Sequence, residues 1–185
     1  MDKNCELRPL IRLRYFTGQL LTANDFQQEQ QYFLEKHRRH NRCLHGYGVV
    51  CGLETSVENS TINVDPGLAL NCRGEEIAVC NAVELRLPRG GGAVYVVVSY
   101  VEKETDPIPA PAEPGSSEQN AMQNSRIEEG SKITLESKDP CLGHKRQRSR
   151  WLCCGSSHSI PLAKLTFARN QWRIDRRFRP PHVRS

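Results

Sequence analysis

Apolar residues near the N-terminus follow two periods in succession, first that of a strand and then that of a helix. Residues 10–16 alternate loosely between apolar and other positions, which predicts a short strand. Further along, Phe26, Phe33 and His40 recur at seven-residue spacing on one side of a helical pattern. The pattern predicts an amphipathic helix over residues 23–44.

Residue types at both ends of this helix are typical of helix boundaries. Thr22 with Asp25 three residues later resembles a capping box, with Asp in the place of the usual Glu. Gly46 follows the last turn and predicts a left-handed cap. Gly48 and Gly52 then bracket three apolar residues, where the period changes to that of a strand. Residues 15–54 therefore predict a rigid joint between a helix and a sheet.

A series of short strands with turn signals follows the joint. Asp65-Pro66-Gly67 predicts a turn, because Pro presets φ and Gly permits positive φ. Residues 93–101 form the strongest strand pattern, rich in Val and Tyr. The fold class predicted is α+β: one N-terminal amphipathic helix packed with a mainly antiparallel β-sandwich or barrel-like module. The other predicted strands are 48–55, 60–64, 68–72, 76–80, 83–87, 131–136, 159–167 and 171–174.

The length of 185 residues suits a single domain, 1–185, interrupted by two irregular loops at about 104–125 and 139–157. The first loop is rich in proline, which favours extended and exposed backbone. Within the domain we distinguish an N-terminal strand and helix, a β-module, a Pro-rich exposed loop, closing strands with a Cys/His-rich loop, and a basic tail. These segments are 10–46, 47–101, 102–126, 127–178 and 179–185.

Composition excludes several classes of protein. No run of apolar residues is long enough to cross a membrane, so membrane insertion is not expected. The N-terminus lacks the apolar region of a signal peptide, which predicts a cytoplasmic site of synthesis. The formal charge of +5 is concentrated in two basic segments, 144–150 and 173–184. These segments could meet phosphates, but they do not form a basic platform with regularly interleaved aromatic residues, so nucleic acid is not the favoured partner.

The eight cysteines fall into two groups. Three of them accompany two histidines in a pattern from which four ligands could close a structural zinc site; zinc is the one candidate cofactor. Free thiols and a disulfide are the alternatives, because adjacent cysteines strain tetrahedral geometry. The candidate ligands are Cys141, His144, Cys153, Cys154 and His158. The other cysteines lie among apolar or strand-like residues and are expected to be small buried side chains; they are Cys5, Cys43, Cys51, Cys72 and Cys80.

No catalytic pattern is present in the sequence. There is no G-x-S-x-G, no phosphate-binding P-loop and no H-E-x-x-H, and no spacing pairs two carboxylates for acid–base work. Gly90-Gly91-Gly92 precedes a strand and does not open a helix, so it is not a phosphate cradle. We therefore predict no enzymatic activity.

The helix carries a narrow stripe that aromatic residues begin and polar residues continue. Such a stripe suits a seam between helices in an oligomer, where polar residues fix the register. Alternatively, the helix is an ordinary surface helix that touches a sheet through Phe26, Phe33, Leu34 and Leu44. The candidate interface consists of Phe26, Gln30, Phe33, His37, His40 and Leu44, and the candidate joint of Gly46, Gly48 and Gly52.

Two strings of residues resemble a known group of proteins. They are YFTGQLLTANDF with HNRCLHGYGVVCGL after it, and then VDPGLALNCRGEEI. They resemble bacterial proteins associated with contractile injection systems and phage-tail-like particles, and the N-terminal attachment modules of tail-fibre and baseplate proteins. The resemblance covers residues 13–80 well and residues 158–178 loosely. The Pro-rich insertion at 105–115, the Cys/His loop and the absence of a fibre shaft are departures from the pattern.

The resemblance implies a structural role. Such modules are commonly trimeric and bind other components of the particle, so a homo-oligomer, with a trimer favoured, and baseplate proteins as partners are expected. Phe26, Phe33, His37 and His40 would line the subunit seam. The function predicted is an oligomeric adaptor or attachment protein in a particle that is released or surface-associated. The alternatives are a zinc-stabilised binding module and a basic nucleic-acid-binding protein.

Overall fold

The computed structural model describes residues 9–58, 60–109, 122–140 and 158–183. Within these residues the first element is helix α1 (Ala23–His40), which a π-helical turn (Asn41–His45) continues. Ten strands follow in the part of the chain that the structure describes: β1 (Gly48–Gly52), β2 (Thr55–Glu58), β3 (Thr61–Val64), β4 (Gly67–Leu70), β5 (Glu76–Val79), β6 (Val83–Arg86), β7 (Ala93–Pro109), β8 (Met122–Glu136), β9 (Ile160–Ala168) and β10 (Gln171–Ile174).

The strands form three antiparallel sheets, which confirms the predicted α+β class with its sandwich or barrel-like module. The strand orders are β1-β4-β5, β2-β3-β6 and β10-β9-β7-β8. Alternation of side chains along the strands directs one face of each sheet into a shared core. The fully buried apolar residues of this core come from all three sheets; they include Ile62, Val64, Ile77, Val96, Val98, Ile160 and Leu165. Helix α1 contributes no buried residue.

The capping box that the sequence predicts at the start of α1 is present. Thr22 accepts a hydrogen bond from the backbone of Asp25, and the Asp25 side chain accepts one from the backbone of Thr22. The end of the helix differs from the prediction, because α1 stops at His40 and a π turn occupies the last predicted helical residues. Gly46 has φ 78° but ψ −137°, so it is not a left-handed helical cap. The wider turn leaves Asn41 buried against the sheet.

The strand predicted at residues 10–16 does not form. These residues have no strand partner in the part of the chain that the structure describes, and Ile11 is 87% exposed. Alternation alone does not make a strand, because each backbone N–H and C=O needs a neighbouring strand to pair with. The segment instead runs beside α1, where the Tyr15 hydroxyl donates a hydrogen bond to Glu29.

Part of the predicted Pro-rich loop is strand. β7 continues to Pro109 and β8 begins at Met122, so the two strands extend into the range assigned to the loop, 102–126. β9 pairs with β7 only as far as Val98, so Pro107 and Pro109 lie where β7 has one free edge. A missing N–H is tolerated at such an edge. The remainder of the predicted loop, residues 110–121, lies outside the described residues.

The predicted basic tail is docked where the structure describes it, at residues 179–183. The Val49 N–H donates to the carbonyl of Pro181 at 2.7 Å, and the Val183 N–H donates to the carbonyl of Val49 at 3.1 Å. These bonds form a parallel bridge between β1 and His182. This contact was not predicted, because two consecutive prolines argue against a strand. A single bridge nevertheless forms, since it uses only the carbonyl of Pro181 and the N–H of Val183.

No helix in the described ranges has the length and apolar character that a membrane crossing requires.

Candidate functional site: the joint between the helix and the sheets

The loop between β4 and β5 is organised by one buried amide. Asn71 is 1% exposed, and its Oδ1 accepts hydrogen bonds from the N–H groups of Arg73 and Glu75, both at 3.0 Å. Its Nδ2 donates to Glu75 Oε2 at 2.7 Å. Glu75, itself 8% exposed, is thereby held with its second oxygen free to meet a cation. The loop therefore holds the Glu75 carboxylate in position to pair with a basic side chain at the end of a helix.

The last turn of α1 supplies that basic end. Arg38 Nη2 lies 3.3 Å from Glu75 Oε1 and 3.6 Å from Glu102 Oε1, so one guanidinium ties the helix to the loop and to β7. In the π turn, Asn41 Nδ2 donates to the carbonyl of Gly74 at 3.0 Å. Arg42 Nη1 donates to the carbonyl of Arg73 at 2.7 Å. Cations at a helix C-terminus also interact favourably with the helix dipole.

Gly74 allows the loop and helix backbones to touch. A Cβ at this position would lie 2.1 Å from the carbonyl oxygen of Arg38, and φ is +84°, a conformation that favours glycine. Helix and hairpin therefore meet backbone to backbone. The atoms nearest to the Cβ position of Gly74 all belong to the backbone of Arg38, so this contact sets the separation of helix and hairpin.

Two of the three glycines predicted to form the joint are also sites of close approach. A Cβ at Gly48 would lie 2.5 Å from the carbonyl oxygen of Pro181, and one at Gly52 would lie 2.2 Å from that of Pro66. Gly46 differs, because no heavy atom lies within 4 Å of its Cβ position and only its positive φ requires glycine. The structure brings Gly48 and Gly52 against neighbouring chain segments on β1, and leaves Gly46 in open space beside the π turn.

All six residues of the candidate interface are exposed; five lie along one side of α1, and Leu44 lies in the π turn. Phe26 is 52% exposed, Phe33 59% and Leu44 57%, and Gln30, His37 and His40 are exposed as well. His37 Nε2 lies 3.4 Å from Glu76 Oε1, and the ring of His40 lies 5.6 Å from that of His45. Phe26, Phe33 and Leu44 thus expose large apolar side chains, and α1 buries none of its residues against the sheets. Whether they form a subunit seam stays a prediction.

The start of α1 provides a pH test of the capping box. Hydrogen bonds from the side chain and the backbone of Thr22 lower the pKa of Asp25. Ionised Asp25 therefore stabilises the folded state. This stabilisation is fully present above the pKa of Asp in the unfolded chain, about 3.9, and is lost as the pH falls through the lower pKa of the folded state. We expect Asp25→Asn to reduce helix content at pH 7, with the difference from the wild type vanishing at the acid end, by circular dichroism. Glu35→Gln, lower on the same helix, is the control. A difference that persists unchanged in acid would contradict the assignment.

A polar cleft of about 530 Å³ lies beside the joint. Its lining includes Arg38, Asn71, Arg73, Glu75, Tyr100, Glu102 and His158. The Tyr100 hydroxyl donates to Glu102 at 2.8 Å, and burial together with this bond raises the pKa of Tyr100. Cations and carboxylates pair with each other across the cleft, so the arrangement holds the helix end and the sheet together.

The candidate zinc site falls mostly outside the described residues; Cys141, His144, Cys153 and Cys154 all lie there. The fifth ligand, His158, is described, and its Nδ1 lies 3.0 Å from the Sγ of Cys72, which is disulfide-bonded. In the parts of the chain that the structure describes, no cluster of three metal-binding side chains occurs. The zinc site stays a prediction.

The expectation that the scattered cysteines are buried is wrong for two of them. Cys51 and Cys80 are exposed, because alternation in and after their strands turns them away from the core. Cys43 has intermediate exposure, and Cys72 is disulfide-bonded. Cys5 lies outside the described residues.

Sequence reasoning missed the polar centre of the joint. It placed residues 73–75 between two predicted strands, 68–72 and 76–80, but it did not predict that the helix docks there through Arg38, Asn41 and Glu75. The available signal is the run of polar residues 71–76 between two apolar strands, together with a helix that ends in basic residues. Acidic and basic runs of this kind can meet across a fold, but the sequence alone does not pair them.

No protein-family profile matches this chain, and no curated protein is similar to it in sequence. Its fold is similar to solved structures of bacterial secretion machinery. A chain of the baseplate complex from the type VI secretion system superposes with a TM-score of 0.53 at 17% identity, covering 94% of this chain and 60% of that one. The TssK-TssF-TssG baseplate subcomplex gives 0.54 at 14% identity, with 94% and 62% covered. A crystal structure of TssK gives 0.53 at 14% identity, with 94% and 42% covered.

These matches relate the fold of this chain to that of baseplate modules of a contractile injection system, which confirms the resemblance predicted from residues 13–80 at the level of fold. The chain spans less than two thirds of the length of each of the three matched chains. Identities below one fifth carry the fold and not the function.

Proposed function

We propose that this chain is a structural adaptor of a baseplate in a contractile injection assembly, that it self-associates, and that it has no catalytic role. The observation that carries the proposal is the exposed apolar side of α1, held at a fixed angle by a backbone-to-backbone joint. The fold similarity to TssK-containing baseplate structures supports the setting. A trimer is the expected symmetry, and other baseplate proteins are the expected partners.

The exposed residues of α1 and of the segment before it support a role in association. Eight large apolar or aromatic side chains between residues 15 and 44 are at least 38% exposed. They are Tyr15, Phe16, Leu20, Leu21, Phe26, Phe33, Leu34 and Leu44. An exposed apolar surface of this kind on a soluble protein marks an interaction site. A rigid joint would present this surface in one orientation, which lowers the entropic cost of association.

Light scattering coupled to size-exclusion chromatography tests the proposal with two variants. We expect the wild type to be oligomeric at micromolar concentration. Phe26→Ala and Phe33→Ala should each weaken association by about thirtyfold, because truncating an aromatic anchor at an interface costs about 2 kcal/mol. Gln28→Ala, on the opposite side of the same helix, is the matched control and should leave association unchanged.

A wild type that stays monomeric, alone and with baseplate proteins, would overturn the proposal. Equal effects of Gln28→Ala and Phe33→Ala would show that helix stability, and not contact, explains the loss. Unfolding measured in parallel on each variant separates these two results.

A zinc-stabilised binding module is the second candidate function. The observation that favours it is the approach of His158 to Cys72, which brings a sulfur of the β-module to one predicted ligand. Zinc requires thiolates, so Cys72 could join such a site only in its reduced form. Metal analysis of protein purified under reducing conditions without added zinc decides the matter, and a substoichiometric zinc content would remove this candidate.

A further inference from the structure

Strands β7 and β8 extend beyond their sheet as a two-stranded ribbon, which we call the arm (residues 99–109 and 122–131). Over this length β7 pairs only with β8, because its pairing with β9 ends at Val98. Two-stranded ribbons are marginally stable in water unless another element covers or extends them. The arm therefore has the character of an incomplete sheet.

Of the two edges of the arm, that of β8 is suited to accept a third strand. The free edge of β7 contains Pro107 and Pro109, which have no N–H to donate. Residues 122–131 of β8 contain no proline, and β8 lies at the end of its sheet. A proline-free edge of this kind offers all of its N–H and C=O groups to an extended segment.

One face of the arm carries carboxylates that lack cations. Glu102 lies directly opposite Glu129, and like charges in opposite positions repel. Glu102 has Arg38 at 3.6 Å, but Glu104 and Glu129 form no ion pair with any described residue. Ile127, opposite Glu104 and 64% exposed, adds an apolar surface to the same face. The face fits a strand that alternates cations with apolar side chains.

The segment at residues 10–16 has that pattern and lacks a strand partner in the described structure. In an extended strand, Leu10, Arg12, Arg14 and Phe16 would share one side. Arg12 and Arg14 are exposed and form no ion pair with the described residues. In its own copy the segment lies along α1 through the bond between Tyr15 and Glu29, away from pairing with β8.

We propose that residues 10–16 of one copy add as a strand to the free edge of β8 in a neighbouring copy. In an antiparallel pairing with β8, Arg12 would lie beside Glu129, and Arg14 would lie beside Ile127, from where its long side chain would extend towards Glu104 on β7. Two observations favour a second copy of this chain as the occupant. The charges of residues 10–16 complement those of the arm, and neither residues 10–16 nor the edge of β8 in the arm has a strand partner in the described structure. The inference rests on the proposed self-association and specifies a contact for it that is separate from the exposed side of α1.

Charge-reversal variants of the full chain test the contact by light scattering. R12E/R14E and E104R/E129R should each weaken association at least tenfold, and R12E/R14E/E104R/E129R should restore it. Mixing the two double variants should produce assemblies that contain both, because each then offers the charge that the other lacks. Arg126→Glu, on the other face of the arm, is the control. Failure of the fourfold variant to recover, or of the mixture to assemble, would overturn the pairing.

A peptide of residues 6–18 separates failure of this contact from failure of self-association. In fluorescence anisotropy, the labelled peptide should bind R12E/R14E protein, whose own segment is disabled, and bind E104R/E129R protein at least tenfold more weakly. If the wild type is oligomeric and neither assembly nor peptide binding changes in R12E/R14E or E104R/E129R, the strand addition is overturned and self-association stands. A monomeric wild type would overturn both the contact between copies and the proposed self-association, even if the β8 edge still bound the peptide.

Discussion

Replacing Gly74 with Ala is expected to lower the free energy of unfolding by roughly 2–5 kcal/mol, because two costs are added at once. A Cβ would lie 2.1 Å from the Arg38 carbonyl oxygen, and both partners are backbone, so neither can rotate away. The positive φ adds backbone strain. Because the hairpin must move to relieve the clash, the variant should also weaken self-association. Urea denaturation followed by circular dichroism measures the stability.

Gly46→Ala is the matched control for this experiment. Its φ of +78° is close to the +84° of Gly74, but nothing lies within 4 Å of its Cβ position. It should therefore incur only the conformational cost, roughly 1–3 kcal/mol. Equal losses for the two variants would show that strain, and not the contact with the helix, explains the role of Gly74.

Replacing Asn71 with Leu should destabilise the protein by roughly 2–4 kcal/mol, because an apolar side chain of similar size removes three buried hydrogen bonds. The N–H groups of Arg73 and Glu75 lose their acceptor, and the Glu75 carboxylate loses a donor while it remains buried. The loop would no longer present Glu75 to Arg38. We therefore expect the helix end to loosen, which hydrogen exchange at residues 36–42 would detect.

Asn63→Leu is the control that measures the cost of replacing a buried amide outside the Asn71 hydrogen-bond network. The Oδ1 of Asn63 is buried and has no hydrogen-bond partner among the residues that the structure describes. Removing an unsatisfied polar group is expected to be neutral or stabilising. A loss for Asn63→Leu as large as that for Asn71→Leu would contradict the account of the β4–β5 loop as an organised acceptor.

Elements of this fold could be predicted where a short run of residues favours one local conformation. Thr22 and Asp25 start the helix because their side chains satisfy its first N–H groups. Pro66-Gly67 and Arg73-Gly74 mark connections between strands, as the structure confirms. Residues 93–101 could be predicted as a strand from their near-continuous apolar run, and in the structure β8 and β9 lie on either side of this run. These features depend on chain segments a few residues long.

The parts that could not be predicted depend on partners distant in sequence. The segment 10–16 has the alternation of a strand but no neighbour to pair with, and residues 102–109 form a strand because β8 lies beside them despite the prolines. The buried position of Asn41 requires the carbonyl of Gly74, 33 residues away. Alternation and capping report local geometry, whereas these outcomes follow from which segments meet.

The joint also has a mechanical consequence. Helix α1 has eighteen residues, so it is about 27 Å long. Its ion pairs and hydrogen bonds to the sheets come from its last turn and the π turn. It is thus a lever fixed at one end, and a rotation of about 10° at Gly74 would displace its first turn by about 5 Å, given a rise of about 1.5 Å per residue. The angular stiffness of the β4–β5 loop therefore sets how accurately a load applied at Phe26 is transmitted to the sheets.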